Sequence, residues 1–210
     1  MSPDVRLDHL VLGAPDLEAG VREVTARLGV APAPGGVHPT MGTANALLSL
    51  GGRVYLEVMA PAPGQSEPTG NGRQLAGLAG PTLGMWAARA ADFDAVAAAA
   101  RAAGLAPMDP VPGSRRAEAG ELLEWRMLFI GGHAFGRFVP FFIDWRATPH
   151  PATTSPTGAR LIRFSVAHPQ AAELRHIYQA LGLDIEVAEG PARMTAEIEG
   201  VSGPVVFSGP

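Results

Sequence analysis

The 210-residue chain contains no cysteine, which excludes disulfides, thiolate nucleophiles and cysteine-ligated metal centres together. Any metal would have to be held by His, Asp or Glu. Positive charge is not in excess either: Lys+Arg number 16 against 20 for Asp+Glu. Arg115-Arg116 is the one adjacent basic pair, so no phosphate-tracking stripe exists and nucleic acid is not expected as a partner. Long apolar runs are missing as well, and no stretch approaches the roughly 20 residues of a membrane helix. The opening residues, MSPDVRLD, lack the basic-then-apolar layout of a secretory signal. A cytoplasmic protein without membrane contact is the expectation. GxGxxG is absent, so no nucleotide cofactor is expected, and Ser49, Ser165 and Ser202 lack the glycines of a nucleophile elbow.

What is present is a folded globular composition, 47% apolar and 17% charged. One plan recurs three times. The strand-like RLDHLVLG (Arg6–Gly13) leads to Asp16, a good helix N-cap, after which Leu17, Val21, Val24 and Leu28 recur at helical spacing and Gly29 stops the helix. TLGMWAARA (Thr82–Ala90) reaches Asp92, then Phe93, Val96 and Ala100, then Gly104. ARLIRFSVA (Ala159–Ala167) precedes Pro169, then Leu174, Ile177, Tyr178 and Leu181, then Gly182. The helix starts fall about 76 residues apart, and strand-like segments follow each helix. A period this long indicates duplicated half-domains, not a solenoid. Pro and Gly density marks Ala31–Gly42 and Pro61–Gly72 as loops and Ala147–Gly158 as a linker. The expected division is a pair of units over 1–146 (about 5–60 and 82–146) and a third unit over 159–210.

A βαβββ unit used in tandem, opening with DHLVL and carrying YLE some fifty residues later, resembles the vicinal-oxygen-chelate superfamily of glyoxalase I, extradiol dioxygenases and bleomycin-binding proteins. GGVHPTMGTAN (Gly35–Asn45) and the later PFFIDW (Pro140–Trp145), followed by His150-Pro151, are similar to its glyoxalase-like domain family. The resemblance implies an α+β fold in which tandem βαβββ units form a curved, cup-like mixed sheet with helices outside. The third βαβββ-like unit then needs another surface, along the sheet edge of the first pair or against its copy in a homodimer.

Strand alternation places Tyr55, Glu57 and Met59 on one face and Val54, Leu56 and Val58 on the other. It groups His9 with Leu7 and Val11. If the first of these faces lines the cup, His9 and Glu57 converge there. By the resemblance they sit at the first unit's metal-ligand positions, Glu57 doubling as catalytic base, with a divalent ion (Zn, Ni, Mn, Fe or Mg) chelated by adjacent oxygens of a small-molecule substrate. The plainer alternatives are a core histidine bonded to a neighbouring carboxylate, and a glutamate paired with Arg126 or Arg53. Alignment of the second unit puts Met85 opposite His9 and Asp144 opposite Glu57, making Asp144 a third metal ligand. His38 or His150 would have to complete the set from a loop. Substrate contacts are expected from His38, Thr43 and Asn45 at the cup's mouth and from the aromatics Trp86, Trp125 and Phe142, although Thr43 and Asn45 also suit local hydrogen bonds and the aromatics also suit a core. His133, His168 and His176 receive no role. Two functions follow: a lyase or isomerase moving a proton alpha to a carbonyl, or a non-catalytic small-molecule binder of the bleomycin-resistance type.

Overall fold

The computed structural model describes residues 3–38, 40–64, 67–116 and 120–210, so Pro39 of GGVHPTMGTAN and Gln65-Ser66 of the second Pro/Gly stretch lie outside the described residues. The first unit runs β1 (Arg6–Gly13), α1 (Leu17–Leu28), β2 (Ala33–His38), β3 (Thr43–Ser49) and β4 (Tyr55–Pro61). Its helix starts where the Asp16 carboxylate accepts the Ala19 N–H at 2.7 Å, and it stops at Gly29, whose φ of 75° a residue with a Cβ rarely adopts. A short helix, α2 (Gly70–Ala76), leads to the second unit: β5 (Thr82–Arg89), α3 (Phe93–Ala102), β6 (Ala106–Pro107), β7 (Val111–Arg116), β8 (Leu122–Leu128), β9 (Ile130–Gly131) and β10 (Phe141–Asp144). Asp92 caps α3 in the same way, accepting from Ala95 N–H. The third unit is β11 (Arg160–His168), α4 (Ala171–Ala180), β12 (Glu186–Glu189), β13 (Arg193–Gly200) and β14 (Gly203–Gly209).

The strands of the first two units form the expected curved mixed sheet, which closes into a barrel in the order β1-β4-β3-β2-β7-β8-β10-β5, while β6 and β9 form a separate ribbon. Two joints between the units close the ring. β1 and β5 pair antiparallel along their whole lengths, from Arg6↔Arg89 to Gly13↔Thr82. Among the described residues β2 and β7 pair at Val37↔Arg116. The segment Ala31–Gly42 is therefore not a loop. It contains β2, and its glycines are what let the strand close the ring: Gly36 has φ 145°, and a Cβ there would sit 2.5 Å from the Arg116 carbonyl oxygen.

Alternation sorts the apolar residues into two cores. Outside the barrel, Leu10, Leu12, Leu56, Val58, Trp86 and Phe142 pack with α1, α3 and the third unit. Inside it, Leu47, Tyr55, Ala87, Trp125, Ile143 and Trp145 pack against one another. The third unit's sheet, in the order β12-β11-β13-β14, lies on the barrel's outer side within its own chain. Backbone hydrogen bonds from Leu161 to Leu50 and from Val201 to Leu28 fix it there. Gly209 comes so near β5 that a Cβ would meet the Leu83 carbonyl. The Ala147–Gly158 stretch is not a free linker: His150 is buried and begins a turn of 3-10 helix, Pro151–Thr153. Among the described residues no helix is long and apolar enough to cross a membrane.

Candidate functional site

The cavity inside the barrel measures about 90 Å³ and is walled by His9, His38, Asn45, Tyr55, Glu57 and Arg115 together with methionines and aromatics. It adjoins a second chamber of about 140 Å³, with which it shares Met59, Asn71 and Met85.

β1 carries a bulge here. Its register against β5 runs from Leu7↔Ala88 to His9↔Ala87, leaving Asp8 as the extra residue. Strict alternation ends at that point: Leu7 packs with the outer core, whereas His9 lines the cavity and Asp8 is completely buried behind it. The Asp8 carboxylate is crowded with donors. His9 Nδ1 lies 2.7 Å from Oδ1, His150 Nε2 lies 3.0 Å from Oδ2, and Trp145 Nε1 donates to both oxygens at 3.3 and 3.2 Å. Burial alone would raise the Asp8 pKa, but the hydrogen bonds from His150 and His9, with their charges, outweigh it and bring the group to about 2. Asp8 is thus an acceptor at every contact.

That fixes the protons that face Asp8. His150 Nδ1 accepts the Ala152 N–H at 3.2 Å, so its proton is on Nε2 and points at Asp8. His9 likewise gives its Nδ1–H to Asp8, and its Nε2 faces Glu57 Oε2 at 3.6 Å. Tyr55 stacks on the His9 ring at 4.6 Å and Phe141 meets it edge-on at 5.5 Å, so the imidazole is held in place. Both plain alternatives for this pair can be checked. His9 is indeed bonded to a neighbouring carboxylate, and its other nitrogen still reaches the cavity. Glu57 is not paired with Arg126, which binds Asp144.

Glu57 is oriented from its other oxygen, where Asn45 Nδ2 donates to Oε1 at 2.6 Å. The same amide nitrogen lies 3.5 Å from His38 Nε2, and His38 Nδ1 lies 3.0 Å from the Thr43 hydroxyl. Burial lowers the His38 pKa, which keeps the ring neutral and suits an Nδ1–H donated to Thr43. Asn45 Oδ1 is buried with no hydrogen-bond partner among the described residues. One polar chain therefore runs from His150 through Asp8, His9, Glu57 and Asn45 to His38 and Thr43.

The fold brings together His9, His38, Asn45, Glu57 and Trp125 as cavity residues, with Thr43 one contact behind. It does not bring Trp86, Phe142 or Asp144. Trp86 packs outside the barrel on Phe164 and Tyr178, and its Nε1 donates to the Phe138 carbonyl. Phe142 is in the outer core. Asp144 sits one strand position off the inward face, where Arg126 Nη2 binds it at 2.6 Å and the Arg146 N–H at 2.9 Å. The offset shows in the pairing. β4 sets Tyr55 opposite His9, with Glu57 two residues on, while β10 sets Phe141 opposite Ala87, with Ile143 two residues on. Ala87 and Ile143, not Met85 and Asp144, occupy the second unit's equivalents of His9 and Glu57. Met85 does line the cavity, but opposite Val11. Asp8 and Arg115 were missed. Adjacency to His9 was the available signal for Asp8, masked by a bulge; for Arg115 the Arg-Arg pair carried no hint of burial.

A family model described as a glyoxalase-like domain matches residues 7–182. The chain belongs to this glyoxalase-like family, within the vicinal-oxygen-chelate superfamily. No curated protein matches it. Among solved structures, a hypothetical protein from Staphylococcus aureus is similar at 14% identity, covering 98% of this chain and 85% of the other with a TM-score of 0.65. A mutant 4-hydroxymandelate synthase from Streptomyces coelicolor is similar at 18% identity over 99% of this chain and 62% of that one, with a TM-score of 0.56. A methylmalonyl-CoA epimerase from Streptomyces coelicolor, in complex with 2-nitronate-propionyl-CoA, aligns at 26% identity over 70% of this chain and 98% of that one, with a TM-score of 0.48. The glyoxalase-like fold is shared; the ligand set that the superfamily implies for a divalent metal is not assembled. His9 and Glu57 offer two donors, and among the described residues no group of three His, Asp or Glu is placed to hold an ion. The residues present do not fit a chelate centre.

Proposed function

We propose that this glyoxalase-like protein is an enzyme that moves a proton at a carbon next to a carbonyl, with Glu57 as the base and His9 as its proton partner. One observation carries the reading: an imidazole nitrogen, on a ring fixed by Asp8, faces a carboxylate oxygen across 3.6 Å in the cavity wall. An imidazole nitrogen and a carboxylate that face each other in this way can pass a proton between them. In the reaction a substrate C–H bond breaks as Glu57 Oε2 takes the proton, and the electron pair moves onto the carbonyl oxygen as an enolate. The proton passes between Glu57 and His9 Nε2 and returns to carbon. Asn45 holds the Glu57 carboxylate in one orientation, which favours the approach geometry, and apolar side chains line most of the cavity around it.

Proton NMR in D2O, with small ketones and 2-oxo acids offered in turn, tests this directly. The expected result is loss of the signal alpha to the carbonyl in wild type, and a rate at least about 100-fold lower in Glu57→Gln. Absence of exchange with every compound would sink the reading. The second reading, a binder that sequesters a small molecule, is favoured by Ala87 and Ile143, which leave the second unit without polar groups at the positions of His9 and Glu57.

A further inference from the structure

Arg115 lies on β7 with 6% of its surface exposed, and it lines the cavity. Its hydrogen bond goes from Nη1 to the Gly35 carbonyl, a neutral partner. Among the described residues no carboxylate stands within ion-pair distance of it. A buried charge without a counter-charge is costly, and arginine cannot shed its proton to escape that cost. The other charges of the barrel are provided for: Asp8 has its three donors, and Glu57 has Asn45 and faces His9. Burial depresses the Arg115 pKa, while Tyr55 and Glu57 favour its charged form without touching it. Arg115 is the charged group of the cavity that still lacks a contact of opposite sign.

We propose that Arg115 anchors the carboxylate of the substrate, which makes that substrate a small 2-oxo monocarboxylic acid with an apolar body. A planar guanidinium presents paired donors that match a carboxylate, and its positive charge offsets the extra charge of an enolate formed beside it. The body faces Met59, Met127, Phe141 and Trp145, which offer no hydrogen-bond acceptor in the required place. Size restricts it further. At about 90 Å³ the cavity is smaller than the roughly 150 Å³ space that admits benzene, so acids of about three or four carbons fit best and longer ones need the adjoining chamber of about 140 Å³. The placement of the carbonyl next to Glu57 rests on the proton-transfer reading; the anchor itself does not.

The test compares acids with ketones of the same skeleton: pyruvate with acetone, 2-oxobutyrate with butanone, and 2-oxoisovalerate with 3-methylbutan-2-one. Binding is followed by the fluorescence of Trp125 and Trp145, which line the cavity. At least one acid should bind wild type about tenfold to a hundredfold more tightly than its ketone. Arg115→Gln should abolish that preference and Arg115→Lys should keep part of it. The wild-type comparison needs no variant, so it decides the matter even if Arg115→Gln fails to fold. The anchor is overturned if no acid binds, if each ketone binds as well as its acid, or if the preference survives in Arg115→Gln. Deuterium exchange separates the two ideas. Acids that bind through Arg115 without exchanging leave the anchor standing and remove the proton transfer, whereas ketones exchanging as fast as acids do the reverse.

Discussion

His9 is held from both sides, and the less visible side decides what it can do. Asp8 accepts the Nδ1–H of His9 and thereby points Nε2 at Glu57. In the sequence Asp8 stands next to His9, and period-two alternation sends it to the opposite face; only the bulge brings it inward. The same carboxylate makes the fold sensitive to acid. Its pKa is about 2 in the folded protein against 3.8 unperturbed, so folding favours the ionised form. The resulting stability, on the order of 2 kcal/mol, is fully present above pH about 4 and is lost as the pH falls toward about 2. Asp8→Asn confronts three donors with one carbonyl oxygen and should cost about 2–3 kcal/mol at pH 7. Urea unfolding at pH 7 and pH 3 checks this: the gap between wild type and Asp8→Asn must narrow at the lower pH. An equal gap at both would mean that the charge of Asp8 does not stabilise the fold.

The elements were legible in proportion to how local their causes are. The three helices announce themselves through caps and 3.6-residue spacing, and Asp16 and Asp92 make the hydrogen bonds that their positions predict. Strand β4 was equally legible: Tyr55, Glu57 and Met59 do face the cavity. Strand β2 was not, because APGGVH has the composition of a loop and becomes a strand through its pairing with β3, from Ala33↔Leu47 to His38↔Thr43. Asp144 was misplaced for a related reason, since the register of β10 is set by its partner Ala87 and not by the likeness of FIDW to YLEV. Gly36 tests this account against another glycine with positive φ. Gly36→Ala meets both an unfavourable φ of 145° and the Arg116 carbonyl, and should cost about 3 kcal/mol. Gly51→Ala, at φ 76° with open space around it, should cost about 1 kcal/mol. Chemical denaturation of the two variants measures the difference. Equal losses would mean that the close approach of β2 to β7 is unimportant.

At the scale of the whole molecule, three copies of one βαβββ plan have taken different positions. Two share a barrel, and the third covers the barrel's outer side through Phe164, Tyr178 and Phe207, which pack in the same core as Trp86. The repeat was legible as a period, whereas the association of the copies depends on long-range packing that no local pattern encodes. Within the barrel the two copies are joined at two places, by a ladder at β1–β5 and, among the described residues, by the Val37↔Arg116 pair at β2–β7. Arg115 stands beside that pair, so opening of the β2–β7 joint would free an acid that it anchors. Since the chain contains no cysteine, Val37→Cys with Arg116→Cys would place its two thiols opposite each other with no competitor. Oxidising them should slow both uptake and release of a bound acid by a similar factor and leave the equilibrium affinity nearly unchanged, which stopped-flow fluorescence with and without reductant would measure. Unchanged rates would locate the exit elsewhere. The β2–β7 joint would then set how long a ligand stays, while the cavity sets how tightly it is held.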